Sequence, residues 1–188
     1  MADRFGFTLR FPEGWSEVPA APEAGPDAAP GARRRFVFAP REATTGAELV
    51  KAVAAIEVRP RRGIDVEQLL ARALSERPAA GAVAPAGAAS SVPDAPHEAS
   101  GPYRLWRREA DAVELAGLPC VVVHDVYRPE AGEHGALQQR LLVTYFTPDP
   151  DAAVQFTLSS PDLLAFDDFL ADGLAIAATL VLTERTPA

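Results

Sequence analysis

The run from Tyr103 to Ser160 constrains this chain most, because extended segments follow one another there across connections that leave room only for a reversal of direction. "YRLWRREADAVEL" leads through Ala116-Gly117-Leu118-Pro119 into "CVVVHDVYRP", and "ALQQRLLVTYFTP" leads through the acidic turn "DPDA" into "AVQFTLSS". Parallel neighbours need a crossover of about a dozen residues or more, so segments joined this tightly pair antiparallel. Period-two alternation places Leu137, Leu141, Val143 and Tyr145 on one face of one strand, and Val154, Phe156 and Leu158 on one face of the next. Cys120 to Val123 is apolar at every position, the pattern of a central strand covered on both sides.

The N-terminal part has the same grammar. In "FGFTLRFPEGWSEVP" Phe5, Phe7, Leu9 and Phe11 alternate along one strand, "PEG" stops it, and Trp15 packs where the chain folds back. "RRRFVFAP" and "AVAAIEVRP" read as two further strands. In "GIDVEQLLARALSERP", Asp65 is a candidate N-cap with Gln68 three residues on, and Val66, Leu69, Leu70, Ala73 and Leu74 follow helical spacing until Pro78. At the other end, Ser160-Pro161-Asp162 offers a capping hydroxyl, a first-turn proline and a first-turn carboxylate, predicting a long helix to about Leu182. The expected order is three strands, helix, four strands, helix: an α+β fold on an antiparallel sheet of about six to seven strands. Residues 19–31 and 78–102, dominated by Ala, Pro, Gly and Ser, read as mobile loops within a single domain spanning residues 1–188.

Composition removes several function classes. A formal charge of −8 argues against a general nucleic-acid binder, which needs a basic footprint to displace phosphate counterions. Cys120 is the only cysteine, so no disulfide or redox pair forms within the chain, which fits a reducing compartment. The start "MADRFGF" lacks an apolar leader, and no run of about 18 apolar residues occurs, so the expected location is cytoplasmic without membrane insertion.

The common nucleotide, hydrolase and zinc motifs are absent from the sequence. Cys120 and His124 are four apart on one strand, about 13 Å at about 3.3 Å per residue. That is too far for a local dyad, and a buried inert thiol is the better reading. His124 and Asp125 point to opposite faces, so His124 reads as a hydrogen-bonded structural histidine. His97 and His134 lack metal-ligand spacing, while Asp149 and Asp151 suit a turn. No catalytic residue, metal or cofactor is therefore expected.

One surface departs from this bland picture. Opposite the apolar face of the 137–158 hairpin lie Gln138, Arg140, Leu142 and Thr144 against Gln155 and Thr157, and the same parity choice in the preceding strand aligns Arg104, Trp106 and Arg108. Arginines, amides and a tryptophan are what recognition surfaces favour, which makes these residues the candidate partner-binding set.

Five ordered stretches, "FTLRFPEGW", "AAIEVRPRRGIDVEQLLARAL", "ELAGLPCVVVHDVYR", "QQRLLVTYF" and "VQFTLSSP", together resemble the PsbP/Mog-like superfamily, within it the DcrB-like group that includes the Eag-type chaperones of secretion effectors. The resemblance spans nearly the whole chain apart from the two Ala/Pro-rich segments. It implies an antiparallel sheet sandwiched by helices, and a non-catalytic bacterial protein-binding module, a secretion-related chaperone or adaptor whose partner is a secreted effector. The dimeric chaperones of the group leave a homodimer open. The resemblance carries over no catalytic residues. The alternative is a small-ligand or metal-binding domain using a pocket between sheet and helix.

Overall fold

The computed structural model describes residues 5–18, 33–38, 50–75, 103–129, 137–161, 163 and 168–184. Within them run β1 (Phe5–Thr8), β2 (Trp15–Val18), β3 (Arg33–Phe38), β4 (Ala52–Pro60), α1 (Val66–Ser75), β5 (Tyr103–Leu115), β6 (Leu118–Pro129), β7 (Gln138–Phe146), β8 (Ala152–Ser160), α2 (Phe169–Ala177) and β9 (Val181–Glu184). A seven-stranded sheet has the order β2-β3-β4-β8-β7-β6-β5, and β1 and β9 form a separate pair. Every described pairing is antiparallel, as the short connections require for β5 with β6 and for β7 with β8. The fold is α+β. The loops expected at 19–31 and 78–102 lie outside the described residues.

Strand parity divides the core into two layers. On one face Ile56, Phe156, Val143 and Val122 form a cross-strand row, joined by Cys120, Leu141, Tyr145, Val154 and Leu158 and covered by Phe169, Ile176 and Ala177 of α2. On the other, Val121, Val123 and Phe146 pack with Ala73, flanked by Val66, Leu69, Leu70 and Leu142, so α1 lies there. The apolar run Cys120 to Val123 is thus covered from both sides, as its composition demands.

The local signals explain most boundaries. Asp65 Oδ1 accepts from the Gln68 amide at 2.8 Å and Gln68 Oε1 accepts from the Asp65 amide at 3.3 Å, the reciprocal capping box that starts α1. Ala116 and Gly117, at φ of 55° and 74°, join β5 to β6 in the left-handed conformation that tight hairpins need. Gly14 turns the chain into β2 at φ 91°, and a Cβ there would meet the Phe38 ring at 2.7 Å. Trp15 pairs with Phe38 across β2 and β3, their rings 5.5 Å apart, and the Phe11 ring lies tilted with its centre 4.1 Å from that of Phe36.

Three expectations need correction. The first strand ends at Thr8 and pairs with β9 rather than with the large sheet, although Leu9 and Phe11 still pack on the core, and Trp15 opens a strand of its own. The final helix does not begin at Ser160. That residue closes β8, buried, with its hydroxyl donating to the Lys51 carbonyl at 2.8 Å, while Asp168 caps α2 by accepting from the Ala171 amide at 3.0 Å. Nor does the helix reach Leu182: it stops at Ala177, whose carbonyl accepts from the buried Tyr145 hydroxyl at 2.7 Å, and the β-branched "VLTE" then becomes β9. A capping motif only permits a helix; here the serine hydroxyl and the backbone around it are engaged by sheet neighbours.

Candidate functional site

The candidate residues other than Gln155 and Thr157 lie at the sheet end formed by the start of β5, the end of β6 and the start of β7. Arg108, Asp125 and Arg140 are successive register partners across three strands on the α1 face. Arg108 donates to both Asp125 oxygens, at 2.6 and 3.0 Å, and Arg140 donates to Oδ2 at 2.5 Å. The carboxylate is 1% exposed, the two arginine side chains 8% and 15%. Burial alone would push the Asp125 carboxyl up, but the two guanidinium hydrogen bonds outweigh it and hold the group below the ordinary carboxylate range. In the next row Tyr127 donates to Gln138 Oε1 at 3.1 Å, and the Arg140 guanidinium lies 5.4 Å from the Tyr127 ring centre.

Trp106 sits at an irregularity beside this network. Leu105 pairs with Tyr127 and Arg107 with Val126, so Trp106 is an extra residue in a β-bulge, and it is 60% exposed. Arg107 is exposed and bonds Glu109, which lowers the Glu109 carboxyl from its usual range. The bulge corrects the expected alignment of Arg104, Trp106 and Arg108. Arg104 pairs with Arg128 and Arg108 with Asp125, three positions apart along β6, so positions 104 and 108 belong to opposite faces. One inserted residue reverses parity, and no period-two count detects it.

The other candidates separate. Gln138 and Arg140 join Arg108 in the network. Gln155 is buried, its side chain donating to Thr144 Oγ1 at 3.5 Å, and Thr157 is half-buried between Leu142 and Ala55 in the register. These two lie in strand β8, away from Trp106. Leu142 packs in the α1 cluster, so part of that face is covered by α1.

Asp125 is the residue that sequence reasoning missed. It was visible as a carboxylate inside "CVVVHDV", because an acid in a covered strand requires a buried counter-charge. The residues with chemical potential are placed elsewhere. Cys120 is fully buried, its thiol pushed up by burial and directed at the Val113 carbonyl 3.3 Å away. His124 faces α2, stacked on Phe169 at 6.0 Å, and its buried Nε2 has no hydrogen-bond partner among the described residues. Among the described residues no group of three or more His, Cys, Asp or Glu could hold a metal ion, and no helix is long and apolar enough to cross a membrane.

No family model matches the chain, and no curated protein matches it. Solved structures similar in chain path include the following two. A Bacteroides thetaiotaomicron protein is 12% identical with a TM-score of 0.47, the match covering 99% of this chain and 50% of the other. LpqN, involved in cell envelope biogenesis of Mycobacterium tuberculosis, is 16% identical with a TM-score of 0.49, covering 95% of this chain and 84% of its own. This chain thus spans half the length of the first.

Proposed function

We propose that the chain is a non-catalytic protein-binding module of PsbP/Mog-like type, a cytoplasmic chaperone or adaptor for a secreted protein. The observation that carries this reading is Trp106: a large aromatic, 60% exposed, held on a strand bulge whose neighbour Arg108 is locked by Asp125. An exposed tryptophan on a rigid support combines a large contact area with little conformational freedom to lose on binding, the properties of an interface anchor. The lone buried thiol of Cys120 and the ring of His124 are used in packing, and Asp125 is neutralised by two arginines, so each is accounted for without chemistry.

Affinity capture from the source cells with the wild-type chain and Trp106→Ala, followed by calorimetry with the captured partner, tests the proposal. The substitution weakens binding by about 1 to 4 kcal/mol at an unchanged melting temperature. Asp172→Ala, on the exposed side of α2, changes it by less than about 0.5 kcal/mol. Asp168 is not a neutral control, because its carboxylate caps α2. A partner that binds Trp106→Ala as tightly as wild type defeats the assignment.

A further inference from the structure

We propose that the outer edge of β5 receives an extended, basic segment of the partner as an added strand, an inference that rests on the protein-binding reading and specifies its chemistry. β5 ends the order of the seven-stranded sheet, is 13 residues long, and among the described residues pairs only with β6. β2 ends the other side with four residues. A long edge strand carries a row of backbone donors and acceptors that a further strand can complete. Past the bulge, the register with β6 is regular from Arg107 to Leu115. Asp111, Ala112, Val113 and Glu114 are all exposed, and successive residues point to opposite faces, so both faces of the sheet are open here. The Ala112 amide donates to Asp111 Oδ1 at 2.8 Å, which marks it as turned away from β6, and alternation turns Ala110 and Glu114 the same way.

Side-chain parity fixes the chemistry of the incoming strand. Glu109 and Asp111 share one face with Val113, while Ala110 and Ala112 give the other face small side chains that leave the backbone approachable. A second copy of β5 fits poorly. Edge-facing residues must meet edge-facing residues, so a two-fold pairing centres on a residue. Centring it on Glu109, Ala110 or Asp111, in the middle of the regular stretch, sets Glu109 against Glu109, Glu109 against Asp111, or Asp111 against Asp111, each an opposition of like charges. A lysine or arginine opposite each acid reverses the sign. It also frees the edge: the cation draws the Asp111 carboxylate off the Ala112 amide, and a carbonyl of the added strand takes its place. Glu109 is paired with Arg107, and with side chains 53% and 62% exposed such a pair contributes little, so an incoming cation shares Glu109 readily. The segment that fits alternates Lys or Arg with Val or Thr.

The probes are a fluorescein-labelled ten-residue peptide alternating Lys with Val or Thr, the same peptide with Glu in place of Lys, and two forms of the Lys peptide N-methylated at alternate backbone amides, one in each phase. Anisotropy is read at low and at moderate salt with wild type, Asp111→Lys and Ala112→Pro, each checked for an unchanged melting temperature. Proline at 112 removes the edge amide and spares the β6 ladder. The Lys peptide binds, weakens with added salt, and loses about tenfold or more in affinity with each variant, while the Glu peptide binds at least about tenfold more weakly. One methylated form binds wild type as its parent does and the other about tenfold or more weakly, a signature that needs no variant of the protein. Equal binding of the Lys and Glu peptides, or of the two methylated forms, overturns the proposal. A wild-type dimer in sedimentation velocity that Ala112→Pro dissolves overturns it in favour of a second copy. A captured native partner that needs Trp106 but tolerates Ala112→Pro leaves the protein-binding reading standing and removes strand addition; one that needs neither removes both.

Discussion

Replacing Asp125 with Asn tests whether the buried ion network fixes the corner of the sheet. The substitution keeps size and one acceptor oxygen but removes the charge between Arg108 and Arg140, whose side chains are 8% and 15% exposed. Removing one member of a buried ion pair costs about 3 to 5 kcal/mol, because the remaining charge is left desolvated. Arg140 retains a route to water, which favours the lower end, about 3 kcal/mol. For a domain of this size, at about 2 to 4 °C per kcal/mol, the melting temperature falls by about 6 to 12 °C. Denaturant titration and calorimetry measure both. The pH dependence carries a sign. The folded carboxyl titrates below its ordinary value, so its contribution is complete above about pH 4, the unfolded range, and disappears as pH falls through the lower folded value. The gap between wild type and Asp125→Asn is therefore widest near neutrality and closes in acid. A difference under about 0.5 kcal/mol at pH 7, or parallel stability curves down to pH 2, refutes the reasoning.

Three further substitutions probe the scaffold. Gly173→Ala in α2 gains about 1 kcal/mol of helix propensity, but the new Cβ falls far inside contact with Leu141 Cδ2 and 3.0 Å from Leu158 Cδ2, both fully buried, and overpacking of about 1 to 3 kcal/mol makes the net effect destabilising; urea unfolding decides, and a stabilised variant contradicts it. Ala116→Gly relieves a non-glycine residue at φ 55° and raises stability by up to about 1 kcal/mol in the same assay. Tyr145→Phe removes the hydroxyl that closes α2 at Ala177, lowering stability by about 1 kcal/mol and speeding amide exchange in the last turn of the helix.

The strands β5 to β8 were legible because each is long, because β7 alternates cleanly, and because β5 meets β6, and β7 meets β8, through a tight turn. The register of Leu141, Val143 and Tyr145 against Leu158, Phe156 and Val154 follows from that alternation alone. The helix α1 was legible for a similar reason, its cap and apolar stripe agreeing with each other. The C-terminal region was not. Ser160 carries a capping signal, yet its environment is set by Lys51, more than a hundred residues away, and by Gln139 in the neighbouring strand. The strand β9 is four residues long and exists through its pairing with β1, a contact between the two ends of the described chain that no local pattern encodes.

The corner around Asp125 failed in the sequence for a related reason, and the failure is informative. Alternation predicts faces only while the ladder is regular, and a single extra residue at Trp106 moves position 104 to the opposite parity from Arg108. The same residue that breaks the count is the one left exposed. A bulge in an edge strand lifts a side chain out of the pleat, and such a lift presents the tryptophan stably only if the strand is anchored on either side. Toward the C-terminus Arg108 is tied to Asp125, which is also held by Arg140; toward the N-terminus Leu105 pairs with Tyr127, whose hydroxyl is tied to Gln138. The buried network and the exposed tryptophan are therefore parts of one arrangement. On the proposed protein-binding reading, loosening the first through Asp125→Asn reduces partner binding through Trp106, measured by calorimetry, even though Asp125 is 1% exposed and too buried to touch a partner.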